Sequence, residues 1–303
     1  MKFKISAWAI CLAAKGRCIV TVPFDSDVPR VWDRKAKSNH NSSTHVSPVG
    51  NTSAGADFAI SSPHFQHGLY GHTQRVCCIA GAADRPVVIT GSWDWTARVW
   101  FLDTFNNDHS KHAHGHRKNS SLSQSGHAAP EFSTLSLKRS DSRYTVTVLK
   151  GHAGSVLAVA LTPDGKIAIT GGWDRLVRIW DTASGRCRQI VSGHTSWVTS
   201  WIHSVAISAN GSTLISGSQD ASVRIWDMKQ GVQVRKLTGH LSPISYVAIS
   251  SDGQMAISGG GVYENIKVWD IKSGECLQHI PGRVMSPQSL ILVEGDVACG
   301  ASF

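Results

Sequence analysis

The sequence lacks several features that would assign it to a membrane, a metal site or an enzyme. It has no apolar run of the roughly 20 residues that a membrane-spanning helix needs. Its seven cysteines include no metal-binding spacing such as Cys-x-x-Cys, and the odd number favours free thiols in a reducing compartment. It also contains no nucleophile elbow, phosphate-binding loop or His-Glu-x-x-His motif. We therefore expect no membrane span, metal, cofactor or small-molecule substrate, and a location in the cytoplasm or nucleus.

The charge of the chain is basic but not concentrated. Thirty lysines and arginines face 21 acidic residues, which gives a net charge of +9 with histidine neutral. The surplus is spread along the chain and forms no basic stripe or run of the kind that nucleic-acid-binding proteins show. We therefore expect no nucleic-acid partner, and we interpret the charge as an aid to solubility that weakly attracts acidic partners.

What the sequence does have is a repeat. Four Gly-His dipeptides are each followed by a tryptophan at a regular distance, 28, 28, 32 and 29 residues after the histidine. We attribute the long third spacing to a four-residue insertion at 201–204. The repeated pairs begin at Gly71, Gly151, Gly193 and Gly239, and the matching tryptophans are Trp100, Trp180, Trp226 and Trp269.

Each repeat has the same internal order. An alternating apolar run, as in 156–161, leads to a turn pair such as Asp164-Gly165, which tolerates the positive φ of a type I′ hairpin. A second run ends in a hydroxyl residue, an aspartate follows four residues later, and a third run ends at the tryptophan. A further turn and a fourth run complete about 43 residues, which is typical of one four-stranded antiparallel propeller blade.

These motifs resemble those of the WD-repeat (Trp-Asp repeat) β-propeller family over nearly the whole chain. In that family a histidine, a hydroxyl, an aspartate and a tryptophan form a hydrogen-bonded chain within each blade. Such a chain satisfies groups that are costly to bury alone. The resemblance assigns this structural role to His72, Thr90, Asp94 and Trp100; to His152, Thr170, Asp174 and Trp180; and to His194, Ser216, Asp220 and Trp226. A further blade has His240, Ser258 and Trp269, with only the displaced Glu264 for an aspartate.

The two ends of the chain continue the repeat. Residues 154–174 can be overlaid on 5–25, so the apolar run at 5–14 is interpreted as a first strand and not as a secretory signal. That blade keeps Thr21, Asp25 and Trp32, but Pro29 should make its third strand irregular. Residues 284–300 have the pattern of two more strands. The predicted fold is a single all-β WD-repeat propeller over 1–303, with five repeats that reach their tryptophan, a truncated sixth and an incomplete ring.

Two long insertions interrupt the repeats, at 34–67 and 102–143. Both are rich in Ser, Asn, Gly and His and poor in aliphatic residues, so we predict that both are disordered. The second contains closely spaced histidines, which are ligands for Zn²⁺ or Cu²⁺ in other settings. Without a scaffold to fix them we interpret them as part of a solvated polar loop and predict no metal site. They are His109, His112, His114 and His116.

A second group of residues belongs to the edge of the blades and gives the candidate binding site. The positions directly before the network aspartate, and three residues after the histidine, line the partner-binding face of the family that the chain resembles. Large aromatic side chains at such exposed turns are candidate hot spots; the alternative is that Trp93 and Trp173 pack between blades. The candidate partner-binding residues are Arg75, Trp93, Trp95, Trp173, Trp197 and Gln219.

The repetition also decides between enzyme and scaffold. Catalysis needs one constellation of Ser, His and Asp, whereas here the same set recurs in successive blades, which indicates a structural role. We therefore predict a non-enzymatic scaffold that binds other proteins or peptides on the propeller face. The alternative is a regulatory or sensor propeller that is a fragment of a larger protein with an enzymatic or nucleotide-switch domain.

Overall fold

The computed structural model describes residues 2–5, 7–23, 26–33, 58–61, 64–102, 144–194, 201–260, 266–280, 287–293 and 296–301. The regular structure of this part of the chain is β-strand throughout. None of its segments is a helix of the length and apolarity that crossing a membrane requires.

The strands follow one another at short intervals. In chain order they are β1 (Lys2–Ile5), β2 (Ala7–Ala13), β3 (Cys18–Pro23), β4 (Arg30–Asp33), β5 (Phe58–Ser61), β6 (His64–Gly68), β7 (Val76–Gly81), β8 (Val87–Ser92), β9 (Thr96–Leu102), β10 (Tyr144–Lys150), β11 (Val156–Leu161), β12 (Ile167–Gly172), β13 (Val177–Asp181), β14 (Cys187–Val191), β15 (Ile202–Ile207), β16 (Thr213–Ser218), β17 (Val223–Asp227), β18 (Val232–Leu237), β19 (Tyr246–Ile249), β20 (Met255–Gly259), β21 (Ile266–Asp270), β22 (Cys276–Ile280), β23 (Pro287–Val293) and β24 (Asp296–Ala301).

Five four-stranded antiparallel sheets form the blades. Their strand orders are β2-β3-β4-β6, β7-β8-β9-β10, β11-β12-β13-β14, β15-β16-β17-β18 and β19-β20-β21-β22. The first strands of successive sheets contact one another, as β7 contacts β11 and β11 contacts β15, so they line the centre and the fourth strands lie outside. Two further pairs, β1 with β5 and β23 with β24, form two-stranded sheets. The prediction of five blades and a two-stranded sixth is confirmed.

Three details differ from the expectations. Pro29 precedes β4 and does not lie within it, so β4 pairs normally with both β3 and β6. The disorder predicted for 34–67 is wrong at its end: β5 and β6 are strands, and β6 is the fourth strand of the first blade. The polar composition of β6 led to the prediction of disorder. Its backbone hydrogen bonds with β4 offset the entropy cost of ordering these residues. Residues 103–143 of the second insertion lie outside the described residues.

The tight turn at Asp164-Gly165, between the first and second strands of the third blade, is also of a different type. Gly165 has φ of 67°, but Asp164 is not among the residues with positive φ, so the pair does not form a type I′ turn. Instead the Gly165 amide donates to the Thr162 carbonyl, and the Asp164 carboxylate accepts from the Thr162 hydroxyl and the Lys166 amide. The aspartate therefore organises the loop through its side chain.

Neighbouring blades interlock at a glycine in the second strand. A Cβ placed on Gly171 would lie 2.5 Å from Cγ2 of Ile202, which is fully buried at the start of the next blade. The same contact recurs between Gly217 and Ile244, also at 2.5 Å. The absence of a side chain after the network hydroxyl thus makes room for the branched residue of the next blade.

This interlocking predicts the effect of adding a methyl group. Gly171→Ala is expected to lower the free energy of unfolding by about 1–3 kcal/mol, because Ile202 has no space into which to move. The measurement is equilibrium denaturation in urea. The double-mutant cycle with Ile202→Ala supplies the control: that change alone should cost about 2–5 kcal/mol, and the two costs together should be less than additive. Additive costs would show that the two residues do not compete for the same space.

Candidate functional site

Two kinds of connection meet at one end of the second, third and fourth blades. In each of them the loop that enters the first strand carries the Gly-His pair, and the turn between the second and third strands carries the aspartate of the network. Because the four strands run alternately up and down, both connections lie at the same end of the sheet. We call this end the His-Asp face, and its described turns include residues 93–95, 173–175 and 219–221.

The third blade shows the network within this face. Nδ1 of His152 lies 2.8 Å from the Asp174 carboxylate, and Nε2 lies 2.6 Å from the Thr170 hydroxyl. The indole N–H of Trp180 donates to the same hydroxyl oxygen over 2.8 Å. Since a carboxylate only accepts, Nδ1 of His152 carries the proton, and Nε2 accepts from the Thr170 O–H. Every member is thereby satisfied by a neutral histidine.

The same chain of contacts recurs in the blades on either side. His72 lies 2.8 Å from Asp94 and 2.8 Å from Thr90, which accepts from Trp100 over 2.9 Å. In the fourth blade the corresponding distances are 3.0 Å, 2.8 Å and 2.9 Å. Those three contacts join His194 to Asp220, His194 to Ser216, and Trp226 to Ser216. The three networks have the same geometry, so none of them differs from the others in its chemistry.

In the two remaining blades the described residues form part of the network. In the fifth, Ser258 lies 2.7 Å from Nε2 of His240 and accepts the Trp269 indole over 2.7 Å. In the first, Thr21 accepts the Trp32 indole over 2.9 Å. Asp25 and Glu264 lie outside the described residues. The contact between indole and hydroxyl is therefore common to all five blades.

The aspartate also shapes the turn that carries the candidate residues. Asp94 accepts from the Thr73 amide at 3.1 Å, the Thr96 amide at 3.0 Å and the Thr96 hydroxyl at 2.6 Å. Burial raises the pKa of Asp94, but the hydrogen bonds from His72 and Thr96 outweigh it and hold that pKa well below its usual range. The residue after the aspartate adopts left-handed φ, 66° at Trp95 and 67° at Arg175. That conformation costs a non-glycine residue roughly 1–2 kcal/mol, which the fixed turn must offset.

Two exposed tryptophans stand at this turn in the second blade. Trp93 is 44% exposed and Trp95 is 57% exposed. The guanidinium of Arg75, which is exposed, lies 5.8 Å from the centre of the Trp93 ring. This is within the range of a cation–π contact. The indole of Trp93 is thus held in place by an arginine while nearly half of it remains open to a partner.

In the third blade the tryptophan is held by a second tryptophan. Trp173 is also 44% exposed and stacks on Trp201 of the next blade, with ring centres 4.8 Å apart and planes 15° apart. Gln219 lies beside this pair, where its side-chain oxygen is 2.6 Å from Nε2 of His203. Trp93 and Trp173 are therefore neither buried between blades nor free, but supported on one side.

Trp201 belongs to this cluster, although it was not among the candidate residues predicted from the sequence. The Trp93 amide donates to the Arg75 carbonyl, and in the fourth blade the Gln219 amide donates to the Trp201 carbonyl. Trp201, and not Trp197, is therefore the counterpart of Arg75. The extra residues precede Trp201, and Trp197 lies outside the described residues. The signal available in the sequence was the match of Ile202-His203-Ser204-Val205 to the start of β11, where both strands carry a bulge.

Other candidate chemistry is not supported by the geometry. The described part of the chain holds no cluster of three or more His, Cys, Asp or Glu side chains suited to a metal. Cys77 lies near Arg75, but burial raises the pKa of its thiol to about 12, so the thiol is not activated as a nucleophile. The four histidines between 109 and 116 lie outside the described residues.

The network predicts the effect of removing its hydroxyl. Thr170→Val is expected to lower the free energy of unfolding by about 2–4 kcal/mol, because the Trp180 indole and Nε2 of His152 each lose a buried partner. Thr170→Ser should restore most of the stability, since serine holds the same place in the fourth and fifth blades. Thr145→Val, on an exposed face of β10, is the matched control and should change stability by less than about 0.5 kcal/mol. Equal effects at both threonines would contradict the network.

The buried histidine predicts the response to acid. Burial lowers the pKa of His194, against the opposing effect of Asp220, so the folded state keeps this ring neutral. As pH falls below about 6.5 the unfolded chain takes up a proton that the folded chain does not, so stability falls with pH. Asp94 and Asp220, whose pKa values are lowered in the folded state, add a further loss below about pH 4. Urea denaturation at pH 7.5, 6 and 5 measures this, and His194→Gln should flatten the drop. Stability that rises from pH 7 to 6 would refute the assignment.

Comparisons with known proteins add an independent result. The family model described as "WD domain, G-beta repeat" matches residues 64–100, 143–181, 185–227 and 231–270, slightly more than half of the chain. A ribosome biogenesis protein WDR12 homolog of Aedes aegypti is 25% identical over 211 residues, which cover 62% of this chain and 45% of that protein. The ribosome biogenesis protein YTM1 of Coccidioides immitis is 32% identical over 124 residues, 38% of this chain and 27% of that protein.

A third relative has a different architecture. The DENN domain and WD repeat-containing protein SCD1 of Arabidopsis thaliana is 28% identical over 196 residues, which cover 63% of this chain but 12% of that protein. The chain thus spans less than half the length of each of these three relatives.

Proposed function

The chain belongs to the WD-repeat family, and on that premise we propose that it is a non-catalytic scaffold that binds other proteins on its His-Asp face. The observation that carries this proposal is the pair of supported, half-exposed tryptophans at equivalent turns of adjacent blades, Trp93 and Trp173. Rigid aromatic side chains that keep open surface lose little entropy on binding and are the commonest interface hot spots.

The geometry beneath these tryptophans supports binding and not catalysis. The histidine of each network is enclosed by its aspartate and its hydroxyl, and the hydroxyl is already shared with an indole. Both ring nitrogens of such a histidine already have a hydrogen-bond partner, so neither is available to a substrate. Three copies of the same arrangement in adjacent blades fit a structural function, since an enzyme needs one site distinct from the rest.

The relatives suggest the setting of this scaffold. Two of them are ribosome biogenesis proteins, so we propose a nuclear complex of that kind as the place where the chain works. A second candidate is a regulatory propeller within a larger multidomain protein, which is favoured by the similarity to the much longer DENN domain and WD repeat-containing protein. Mass spectrometry of the native protein distinguishes them: peptides from an attached catalytic or switch domain would support the second candidate.

The proposal predicts that the two tryptophans matter for binding and little for folding. Trp93→Ala combined with Trp173→Ala should weaken the binding of partners by about 30-fold or more, which corresponds to at least 2 kcal/mol. The melting temperature should change by no more than about 2 °C, as for surface substitutions. The measurement pairs quantitative affinity purification from cells with thermal denaturation of the purified chain.

The matched control removes exposed apolar surface elsewhere. Val234→Ala with Leu277→Ala changes two side chains that are 55% and 56% exposed on the outer strands β18 and β22, and partner binding should be retained. If the tryptophan variant instead melts far below the wild-type chain, both residues serve packing and the binding role is wrong.

A further inference from the structure

We propose that the His-Asp face of the second and third blades recognises an acidic segment of a partner protein, an inference that rests on the proposed scaffold function. The juxtaposition that carries it is a row of exposed basic side chains beside the supported tryptophans. Arg75, Lys150 and Arg175 are all exposed at this end of the two blades, around Trp93, Trp95 and Trp173.

The aspartates of this face do not cancel that charge. Nε of Arg178 lies 3.9 Å from the Asp174 carboxylate in the third blade, and the guanidinium of Arg224 lies 4.0 Å from the carboxylate of Asp220 in the fourth. In the second blade Arg98 occupies the matching place, and the negative charge of Asp94 favours the charged form of its guanidinium. Each network aspartate is thus balanced by its own arginine beneath the surface.

The charge that remains at the surface is therefore mainly basic. Arg75 and Arg175 flank the tryptophan turns, and Lys150 ends β10 directly before the Gly-His loop of the third blade. One exposed acidic residue, Asp27 of the first blade, lies near enough to influence the Cys77 thiol. Among the described residues of this end, three exposed basic groups against one exposed acidic group favour a partner segment of net negative charge.

At the described turns of the opposite end of the same blades, most basic side chains have an acidic neighbour. There, acidic and basic side chains alternate along the turns, as at Asp84 and Arg85, or at Asp164, whose carboxylate lies 3.4 Å from the Lys166 ammonium. Asp181 forms an ion pair with Arg188 at the next turn of the third blade. Among the described residues, basic side chains without an acidic neighbour are therefore more frequent at the end that presents the aromatic side chains.

The arrangement favours a protein segment over a nucleic acid. Single-stranded nucleic acids bind by stacking bases on open aromatic faces within a strongly basic groove. Here one face of Trp173 is covered by Trp201, and Arg75 lies over the ring of Trp93. The edges that remain suit apolar side chains of a peptide, whose carboxylates then reach the arginines and the lysine.

The first step of the test selects peptides directly. A phage library of random dodecapeptides is panned on the full chain, with Trp93→Ala/Trp173→Ala as the counter-selection that identifies binders of this face. The expected result is enrichment of peptides with net negative charge that also contain aromatic or aliphatic residues. A 20-residue polyuridine RNA serves as the competing probe in 150 mM NaCl.

The second step isolates the contribution of charge. One enriched peptide, labelled with fluorescein, is titrated by anisotropy against Arg75→Glu/Arg175→Glu and against Arg85→Glu/Arg186→Glu. The second variant makes the same charge change on exposed residues at the opposite end of the blades. We expect the first variant to weaken binding about 10-fold at 150 mM NaCl and much less at 1 M NaCl, whereas the second should change binding less than about 2-fold.

The outcomes separate this inference from the scaffold function. Peptides whose binding requires Trp93 and Trp173 but whose sequences are neutral or basic would show that the partner segment is not acidic. Protein binding at this face would still hold. Equal loss in both charge variants would also overturn the inference of an acidic segment, because a long-range effect of net charge would then explain the result. RNA binding that depends on the tryptophans would replace it with a nucleic-acid site, and failure to enrich any such peptide would reject both the inference and the proposed function.

Discussion

One hydroxyl oxygen in each blade holds the rest of the structure in place. It accepts the indole N–H of the third strand in all five blades, and in four of them it lies within hydrogen-bond distance of a histidine from the connection between blades. The hydroxyl therefore ties the second strand, the third strand and the entering loop together at one buried point. A threonine or serine with no exposed surface cannot lose this role without leaving an indole and an imidazole unsatisfied.

The same chain of contacts reaches the surface through the aspartate. One carboxylate oxygen accepts the hydrogen bond from the histidine N–H. The other accepts a hydrogen bond from the backbone amide two residues further along the turn, at 3.0 Å from Thr96 and 3.2 Å from Leu176. This fixes a turn whose next residue has left-handed φ. The exposed residues on either side of the aspartate are thus presented by a rigid support, which lowers the entropy cost of binding a partner. One network thus contributes to both stability and recognition. Its buried hydroxyl, imidazole and indole stabilise the fold, and its aspartate fixes the turn that carries the exposed residues.

The blade pattern could be predicted from the sequence because it is periodic. A constant spacing of 28 residues between His72 and Trp100, and again between His152 and Trp180, places every intermediate member at the same offset. What is not periodic was harder to place. The insertion that lengthens the fourth blade was predicted at 201–204, whereas the hydrogen bond from the Gln219 amide to the Trp201 carbonyl places it before Trp201. The residues of β6 were predicted to be disordered because they are polar, and their order depends on pairing with β4. The stacking of Trp173 on Trp201 joins two blades, so it follows from their relative placement and not from the pattern within either.

Hydrogen exchange of the tryptophan indole N–H groups, followed by NMR, compares the buried network with the exposed face in one experiment. We predict that the indole N–H groups of Trp100, Trp180 and Trp226 exchange only through unfolding of their blades, because each donates to a hydroxyl with no exposed surface. The indoles of Trp93 and Trp95 should exchange near the rate of a free side chain. If the three network indoles exchange as fast as these two, the hydroxyl does not hold the blade together.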